Sequence, residues 1–367
     1  MKPSVTLIPL STIYAAVTRS RLAAYRRGWF STTKLQAPVI SVGNLTTGGT
    51  GKTPLVEWVC RAIANDGKSE GLRKEKRICV LTRGYGRENP GAQVIVSDGA
   101  QLLAREPAAG DEAFLLGKNL LGIAAVIANA NRVAGGQWAI ENWNAEVFVL
   151  DDGFQHLRLA RDLDIVTIDA TNPWGGGSLL PAGRLREPRT GLSRADCVVL
   201  TRMDQVDDPA AVRTAVEPLV GAAPIFSSRM ATSAIRRLDG ESVDSESFSS
   251  QTLAAFCGVG NPTSFFSHLR REGCAIVFTQ AFADHHQYTQ SELAALVDEA
   301  RSHGAEALIT TAKDAVKLSA LNLQLPCYVI DIQISIDEED RLVEILRNAL
   351  KATSNVQRPM SNVRTEP

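Results

Sequence analysis

The chain has 367 residues, enough for two domains of ordinary size with their own buried cores. Hydrophobic residues make up 44% and charged residues 22%, a balance typical of globular proteins that excludes an intrinsically disordered chain. The formal net charge of −1 offers no general basic field, so we expect no nucleic-acid partner. The 6 cysteines form no C-x-x-C pair, which indicates reduced, mostly buried thiols.

The first predicted element is an amphipathic helix within the segment 1–35. Five apolar side chains recur at helical spacing or lie near the same face: Leu10, Ile13, Tyr14, Val17 and Tyr25. Arginines follow this stripe, and the first acidic residue is Glu57, so the segment is basic. The charge-free stretch 3–18 is too short to span a membrane. We expect the helix to lie on a membrane surface, and packing on the protein's own core is the alternative.

Short apolar runs, separated by helical patterns or glycine-rich loops, continue the chain as far as residue 201. They lie at 38–42, 78–82, 124–128, 147–150, 165–168 and 197–201. Continuous apolar strands that alternate with helices are typical of a parallel sheet covered on both faces. The predicted fold class is therefore α/β, with a P-loop NTPase-like parallel sheet in a domain spanning 36–226.

A second, smaller α/β domain is predicted at 252–351. Its strands are expected at 253–257, 275–279, 307–311 and 327–330, and its helices include 291–303 and about 338–351. The segment 227–251, rich in Ser, Arg, Asp and Glu, is expected to form a linker or hinge between the two domains. The polar tail 352–367 is expected to be disordered.

The glycine-rich loop after the strand at 38–42 has the composition of a phosphate-binding loop. Its residues are Gly48, Gly49, Thr50, Gly51, Lys52 and Thr53. In such a loop backbone N–H groups surround the phosphates, the lysine reaches the β- and γ-phosphates, and the hydroxyl holds Mg²⁺. Lys52 and Thr53 would take the last two roles toward ATP. Thr46 stands where the strict pattern has glycine, and a flexible turn is the alternative interpretation.

Carboxylates that could serve this loop occur farther along the chain. Asp151 and Asp152 directly follow a predicted strand, where a P-loop enzyme places a carboxylate on the Mg²⁺ side, although a polar turn is the alternative. Asp111 precedes a predicted helix, and an N-cap is the common role there. Asp284 and His285, in the second domain, form a pair that is able to accept a proton from a hydroxyl nucleophile.

Six runs resemble, in order, the signatures of the tetraacyldisaccharide 4′-kinase (lipid A 4′-kinase) family. They are Gly48-Gly49-Thr50-Gly51-Lys52-Thr53-Pro54, Arg83-Gly84-Tyr85-Gly86-Arg87, Gly110-Asp111-Glu112, Asp151-Asp152-Gly153-Phe154-Gln155-His156, the stretch 179–188, and Asp284-His285-His286. The run beginning at Asp151 is much more specific than the phosphate loop. The resemblance extends from residue 43 to about residue 317. Two positions depart from it, since Arg184 replaces an expected proline and Ala312 an expected glutamate.

The resemblance implies transfer of the ATP γ-phosphate to the 4′-hydroxyl of a tetraacyl glucosamine disaccharide 1-phosphate. It places a peripheral, monotopic enzyme at the cytoplasmic face of a Gram-negative inner membrane, with the lipid A precursor as its partner. Asp111 would be the base, assisted by His285, and Asp152 would serve the metal with Asp151 beside it. Four further active-site positions are implied: Tyr85, Arg132, Gln155 and Glu187.

The residues by themselves leave two other functions open. The run Thr201-Arg202-Met203-Asp204 is a weak likeness of the guanine-reading motif of P-loop GTPases, because arginine stands where that motif has lysine. A GTPase or metal-delivery switch would prefer GTP and hydrolyse it without lipid. A membrane-attached module that binds ATP without catalysis would show no dependence on Asp111.

Overall fold

The structure, a computed structural model, describes residues 7–68, 76–238, 251–318 and 321–356, together with residues 240, 243 and 248. The helices within these ranges are α1 (Ile8–Arg26), α2 (Lys52–Lys68), α3 (Glu106–Ala109), α4 (Asp111–Asn119), α5 (Arg132–Trp143), α6 (Pro209–Val220), α7 (Pro262–Arg271), α8 (Gln290–Ser302), α9 (Ala312–Leu318) and α10 (Glu339–Val356). The last helix extends into the predicted tail, and residues 357–367 of that tail lie outside the described residues.

The strands are β1 (Val39–Asn44), β2 (Ile78–Thr82), β3 (Val94–Ser97), β4 (Ala124–Ala128), β5 (Val147–Asp151), β6 (Leu163–Asp169), β7 (Cys197–Thr201), β8 (Ile225–Arg237), β9 (Thr252–Cys257), β10 (Ala275–Ala281), β11 (Ala307–Thr311) and β12 (Cys327–Ile336). They form one sheet in the order β10-β9-β11-β12-β8-β7-β6-β1-β5-β2-β4-β3. All neighbouring pairs are parallel except β3 with β4 and β8 with β12. The predicted α/β class with a parallel sheet is confirmed.

Strand β8 joins two blocks of parallel strands. The first block is β7-β6-β1-β5-β2-β4, and the second block is β10-β9-β11-β12. Its first residues pair in parallel with β7, and residues 228–237 pair antiparallel with β12. The first half of the segment expected to be a linker, 227–251, is therefore part of the sheet. The expectation of a linker fails there because the pairing partner, β12, lies 91 to 108 residues farther along the chain. Most of the segment beyond residue 238 lies outside the described residues.

The central strands are buried on both faces because helices cover both sides of the sheet. In β5, Val147 and Val149 pack in one core cluster together with residues of α2 and α4. Phe148 and Leu150, which alternate with them, pack in a second cluster against residues of α5. This alternation explains why the strands appear in the sequence as continuous apolar runs. The 6 cysteines are free thiols, and five of them are buried.

Candidate active site

The carboxyl ends of strands from both blocks border one cavity of about 1020 Å³. The glycine-rich loop and the turn after β5 line it from the first block, and the turns after β9 and β10 line it from the second. The turn after β9 touches the loop so closely that a Cβ built on Gly260 would lie 2.6 Å from the backbone nitrogen of Gly49. Glycine at position 260 therefore lets the second block reach the loop.

The glycine-rich loop connects the fully buried β1 to α2, which begins at Lys52. Thr50 holds the loop in place, because its hydroxyl accepts a hydrogen bond from Asn44 Nδ2 at 2.8 Å and its carbonyl accepts one from Thr201 Oγ1 at 3.0 Å. Gly51 has φ +82°, a conformation that favours glycine. This strand–loop–helix context is the one a phosphate-binding loop requires, which counts against the flexible-turn interpretation. Lys52 and Thr53 both line the cavity.

The two adjacent aspartates at the end of β5 lie in different electrostatic surroundings. Burial raises the pKa of Asp151 to about 6, with the charges of Glu112 and Asp152 adding to the effect. Burial also acts on Asp152, but Lys52 Nζ, 3.6 Å away, and Arg186, which donates at 2.7 and 2.8 Å, lower its pKa to about 2. Asp152 is therefore the more firmly ionised carboxylate of the two.

Asp111, the first residue of α4, meets His285 from the turn after β10. His285 Nδ1 lies 2.9 Å from Asp111 Oδ2 and 3.1 Å from Oδ1. Burial raises the pKa of Asp111, but the bond to His285 and the charges of Lys313, His285 and Lys317 outweigh it and hold that pKa well below its usual range. The same hydrogen bond raises the pKa of His285. An acid–base pair is thus assembled from 2 residues 174 positions apart in the chain.

The N-cap alternative for Asp111 is wrong. The N-cap residue is Gly110, and Asp111 Oδ1 accepts the backbone N–H of Glu112, its immediate neighbour, at 2.8 Å. Both carboxylate oxygens also contact His285. The carboxylate therefore faces the second block and does not act as the N-cap of its own helix.

The four other predicted active-site residues also line the cavity: Tyr85, Arg132, Gln155 and Glu187. Tyr85 is 64% exposed and its ring lies 5.8 Å from that of His285. Glu187 is buried, accepts a hydrogen bond from Gln155 at 2.8 Å, and forms an ion pair with Arg194 at 2.7 Å.

Comparison with known proteins decides the family. The family model described as tetraacyldisaccharide-1-P 4′-kinase matches residues 3–351. The chain belongs to the tetraacyldisaccharide 4′-kinase family. A relative of that name from Geobacter metallireducens is 43% identical over 313 residues, which cover 85% of this chain and 88% of that protein. Another from Syntrophotalea carbinolica is 39% identical and covers 93% of this chain and 90% of that protein.

A solved structure agrees with this family. The crystal structure of LpxK from Aquifex aeolicus, described as an apo form in complex with ATP, superposes with a TM-score of 0.74 at 31% sequence identity. The match covers 94% of this chain and 98% of that one. Family, fold class, kinase activity and the use of ATP are therefore confirmed as predicted.

The GTPase alternative is not supported, and the contacts of its proposed motif explain why. Arg202, at the position of the motif's lysine, donates to the carbonyl of Gly49 at 2.8 Å and to Asp169 at 2.6 Å. Asp204, which would have to read a guanine base, is instead paired with Arg271 of α7. The segment braces the phosphate loop of this 4′-kinase family member.

The acidic residues of the site fit Mg²⁺ as an ion that is only partly coordinated by protein. No group of three or more His, Cys, Asp or Glu side chains in the described ranges could hold a metal. Protein sites for Mg²⁺ commonly supply one or two carboxylates and leave the other positions to water and substrate phosphates. Asp151 and Asp152 are such a pair and line the same cavity as Thr53 of the loop, and Thr82 orients Asp151 with a 2.8 Å hydrogen bond.

The sequence analysis gave no role to Arg186 and Lys313, which line the cavity, or to Lys317, whose fully buried side chain contacts Asp111. Arg186 lies within the stretch 179–188 that resembles the family, but its bonds to both carboxylate oxygens of Asp152 depend on the folded structure and are not evident from the sequence. The two lysines lie four residues apart on α9, a spacing that in sequence is typical of a solvated helix face. Ala312, one of the departures from the family pattern, begins this helix, while Arg184 accepts the backbone N–H of Thr47 through its carbonyl.

Glu57 on α2 provides a pH test of the cavity wall. Burial raises its pKa to about 7, despite a 2.9 Å hydrogen bond from Asn119. The folded state holds this proton more tightly than the unfolded chain. Stability from Glu57 is therefore full below pH 4.5 and is lost as the pH rises through about 7. We expect Glu57→Gln to raise the free energy of unfolding by up to about 3 kcal/mol at pH 8 and to change it little at pH 4.

Denaturant unfolding of the wild type and Glu57→Gln at pH 4, 6 and 8 measures this effect. Asp151 also titrates in this range in both proteins, so the diagnostic quantity is the difference between them at each pH. A difference that stays the same from pH 4 to pH 8 would show that Glu57 titrates normally.

Proposed function

We propose that the cavity transfers the γ-phosphate of ATP to the 4′-hydroxyl of a tetraacyl glucosamine disaccharide 1-phosphate. The observation that carries this proposal is that His285, which is hydrogen-bonded to Asp111, and Lys52 of the phosphate loop border the same cavity. Phosphoryl transfer requires mainly that the protein position the reactants and stabilise charge, and this cavity offers a proton acceptor and phosphate-binding groups together. The names of the relatives support the acceptor.

We assign Lys52 to the β- and γ-phosphates, where its ammonium would stabilise the charge of the transferring group. The backbone N–H groups of residues 48–51 would surround the phosphates at the start of α2. Thr53, Asp151 and Asp152 would hold Mg²⁺, which when bound neutralises negative charge on the phosphate oxygens.

We assign the removal of the hydroxyl proton to Asp111 and His285 acting together. With its pKa well below the usual range, Asp111 is a weak base when it acts alone. His285 lies within hydrogen-bond distance, and the bond to Asp111 raises its pKa, so the proton can move toward the imidazole. The pair, rather than the carboxylate by itself, would therefore accept the proton.

The remaining residues of the site would orient these groups. Gln155 and Glu187 are hydrogen-bonded to each other, and Gln155 Oε1 accepts from Arg186 at 3.4 Å. These two residues would therefore aim Arg186 at Asp152. Tyr85 is exposed beside His285 and would contact the acceptor. Arg132 is buried near Asp151 and Asp152 and would contact the phosphates.

Incubation with labelled ATP and a tetraacyl disaccharide 1-phosphate in detergent tests the assignment. We expect a labelled lipid that depends on Mg²⁺, and no competition by excess GTP. Hydrolysis of GTP without lipid, or ATP binding without a labelled product, would contradict the proposal and favour one of the two alternatives.

We propose that α1 attaches the protein to the cytoplasmic face of the inner membrane. No helix among the described residues is both long and apolar enough to cross a bilayer. Leu10, Ile13 and Val17 are 52%, 61% and 61% exposed, so the alternative that the stripe packs on the core is wrong for them. Tyr14 differs, because its hydroxyl donates to the carbonyl of Arg186 at 3.0 Å. An apolar face of this kind beside basic residues suits the interface of an anionic bilayer.

Point substitutions test this attachment more cleanly than removal of the helix. Ser11 and Tyr14 bind the segment 179–186, so a truncation would disturb the site as well. We expect the pair Leu10→Gln and Ile13→Gln to weaken sedimentation with anionic liposomes about tenfold or more, since two exposed apolar side chains that lie outside the lining of the cavity leave the interface. The KM for lipid should rise more than the KM for ATP.

Leu103→Gln is the matched control, because Leu103 is 49% exposed and lies outside the lining of the cavity. If the α1 double variant sediments with liposomes as well as the Leu103 variant does, α1 is not the attachment surface.

We also propose that residues 36–226 and 252–351 act as two domains that meet at the cavity. The contacts that would separate on opening include His285 with Asp111 and Asn261 with Asp169. The antiparallel pair β8–β12 would be the connection that persists.

A further inference from the structure

Two lysines of α9 converge on Asp111. Lys317 Nζ lies 2.9 Å from Asp111 Oδ2, and the two groups form an ion pair. Lys313 Nζ lies 3.9 Å from the same oxygen. The lysines are four residues apart and therefore project from one side of the helix. The second block thus supplies His285, Lys313 and Lys317 to a single carboxylate of the first.

Lys317 is unusual because its side chain has no exposed surface. Moving an ammonium group out of water is strongly unfavourable unless a partner compensates the charge. Within the described ranges Asp111 is the partner within ion-pair distance of Lys317. A buried ammonium with this single carboxylate partner indicates a specific role. An apolar side chain could fill the same space without the cost of burying a charge.

Lys313 has a different set of neighbours. Its Nζ contacts Glu112 at 3.1 Å and Asp284 at 3.2 Å, and it lies 3.4 Å from His285 Nε2. It is therefore shared among several carboxylates and borders the cavity, whereas Lys317 is fully buried and pairs with Asp111.

We propose that Lys317, with Lys313 one turn before it, is a positioning residue of phosphoryl transfer that fixes Asp111 as an oriented carboxylate. This inference rests on the proposed role of Asp111 as the proton acceptor. In that step the acceptor O–H bond breaks as the new O–P bond forms. ADP leaves with the electron pair of the broken P–O bond, and the proton goes to the Asp111–His285 pair. An ion pair to Oδ2 restricts rotation of the carboxylate and keeps its orientation toward the histidine.

The charges around the pair determine how its titration responds to a substitution. The charged and titratable groups that face it from the neighbouring elements are Tyr85, Glu106, Glu112, Asp284, Lys313 and Lys317. The two lysines lower the pKa of Asp111, and Lys313 also lowers that of His285. Removing either positive charge therefore raises the pKa of the pair, which moves the acid limb of the pH–rate profile to higher pH.

The test is the pH profile of kcat/KM for the lipid acceptor in Lys317→Met, a substitution that keeps an unbranched apolar stem. We expect the acid limb to move up by about one pH unit or more, as for loss of a charge within 4–6 Å. At the plateau kcat should fall about tenfold, because the carboxylate is no longer held in its orientation toward His285, while the KM for ATP stays within about twofold. Leu318→Met is the control, because it alters a buried neighbour on the same helix without changing charge.

Two further measurements keep the inference open to refutation. If Lys317→Met fails to fold, Lys313→Met is used, because its 14% exposed side chain reaches the cavity, and its acid limb should move in the same direction. An acid limb that coincides with that of Leu318→Met overturns the inference in either variant. Asp111→Asn separates this result from the proposed function. If Asp111→Asn is inactive while the lysine variants have the wild-type profile, the lysines have no positioning role although Asp111 remains the base.

Discussion

Lys52→Ala is expected to reduce kcat for phosphate transfer by about 10²–10³-fold at saturating ATP, the effect of removing one electrostatic stabiliser of a transition state. The side chain begins α2 at the phosphate loop, and its ammonium is the loop's cation. Its ion pair with Asp152 is 3.6 Å long, whereas Arg186 makes two shorter bonds to the same carboxylate. Asp152 therefore keeps a partner in the variant, and the fold should survive.

The control for this variant is Lys34→Ala. Lys34 is an exposed lysine with an ion pair to Asp162 at 3.7 Å, and it does not line the cavity. It should leave kcat unchanged. Circular dichroism and a thermal melt establish that both variants are folded. A kcat for Lys52→Ala close to that of the wild type would mean that the glycine-rich loop does not serve the transferring phosphate.

The parallel strands could be predicted from sequence because each is buried on both faces. A strand such as β5, with helices on either side, needs apolar residues at consecutive positions and is bounded by polar turns. The phosphate loop could also be predicted from the sequence, because its chemistry depends on one strand–loop–helix unit. These are features whose physical cause lies within a short stretch of chain.

Strand β8 could not be predicted in the same way. Its second half is partly exposed and carries Ser, Thr and Arg, so the pattern is typical of a linker. The residues become a strand because β12 pairs with them, for example Arg236 beside Val329, with an ion pair from Arg236 to Asp331 at 2.9 Å. A distant partner, rather than local preference, determines the conformation there.

The site likewise combines features that the local sequence predicts with features that depend on distant parts of the chain. Asp111 and His285 were named through a family resemblance, and nothing in their local sequence indicates that they touch. Lys317 was given no role, because a lysine four residues after another on a short helix suggests a solvated face. Its burial depends on how α9 packs against α4, which is a property of the folded chain.

Asp111→Asn is expected to lower kcat by about 10²–10⁴-fold, the range for loss of a general base, with ATP affinity roughly preserved. Asparagine is nearly isosteric and still accepts the backbone N–H of Glu112 through its side-chain oxygen. It cannot take a proton, and it no longer raises the pKa of His285 through its charge. His285→Ala should reduce kcat less, because the carboxylate remains. If His285→Ala has the kcat of the wild type, His285 is not the partner of Asp111, and Asp284 or His286 becomes the candidate.

The stability of Asp111→Asn has to be measured beside its activity. The substitution leaves the buried ammonium of Lys317 without its carboxylate, and breaking such a pair costs about 3–5 kcal/mol. We therefore expect a lower melting temperature, and the double variant Asp111→Asn with Lys317→Met should recover part of it without recovering activity. Glu106→Gln is the matched control, since Glu106 lies on the neighbouring α3 near Asp111 but does not line the cavity. Activity that returned together with stability in the double variant would show that Asp111 holds the fold and is not the base.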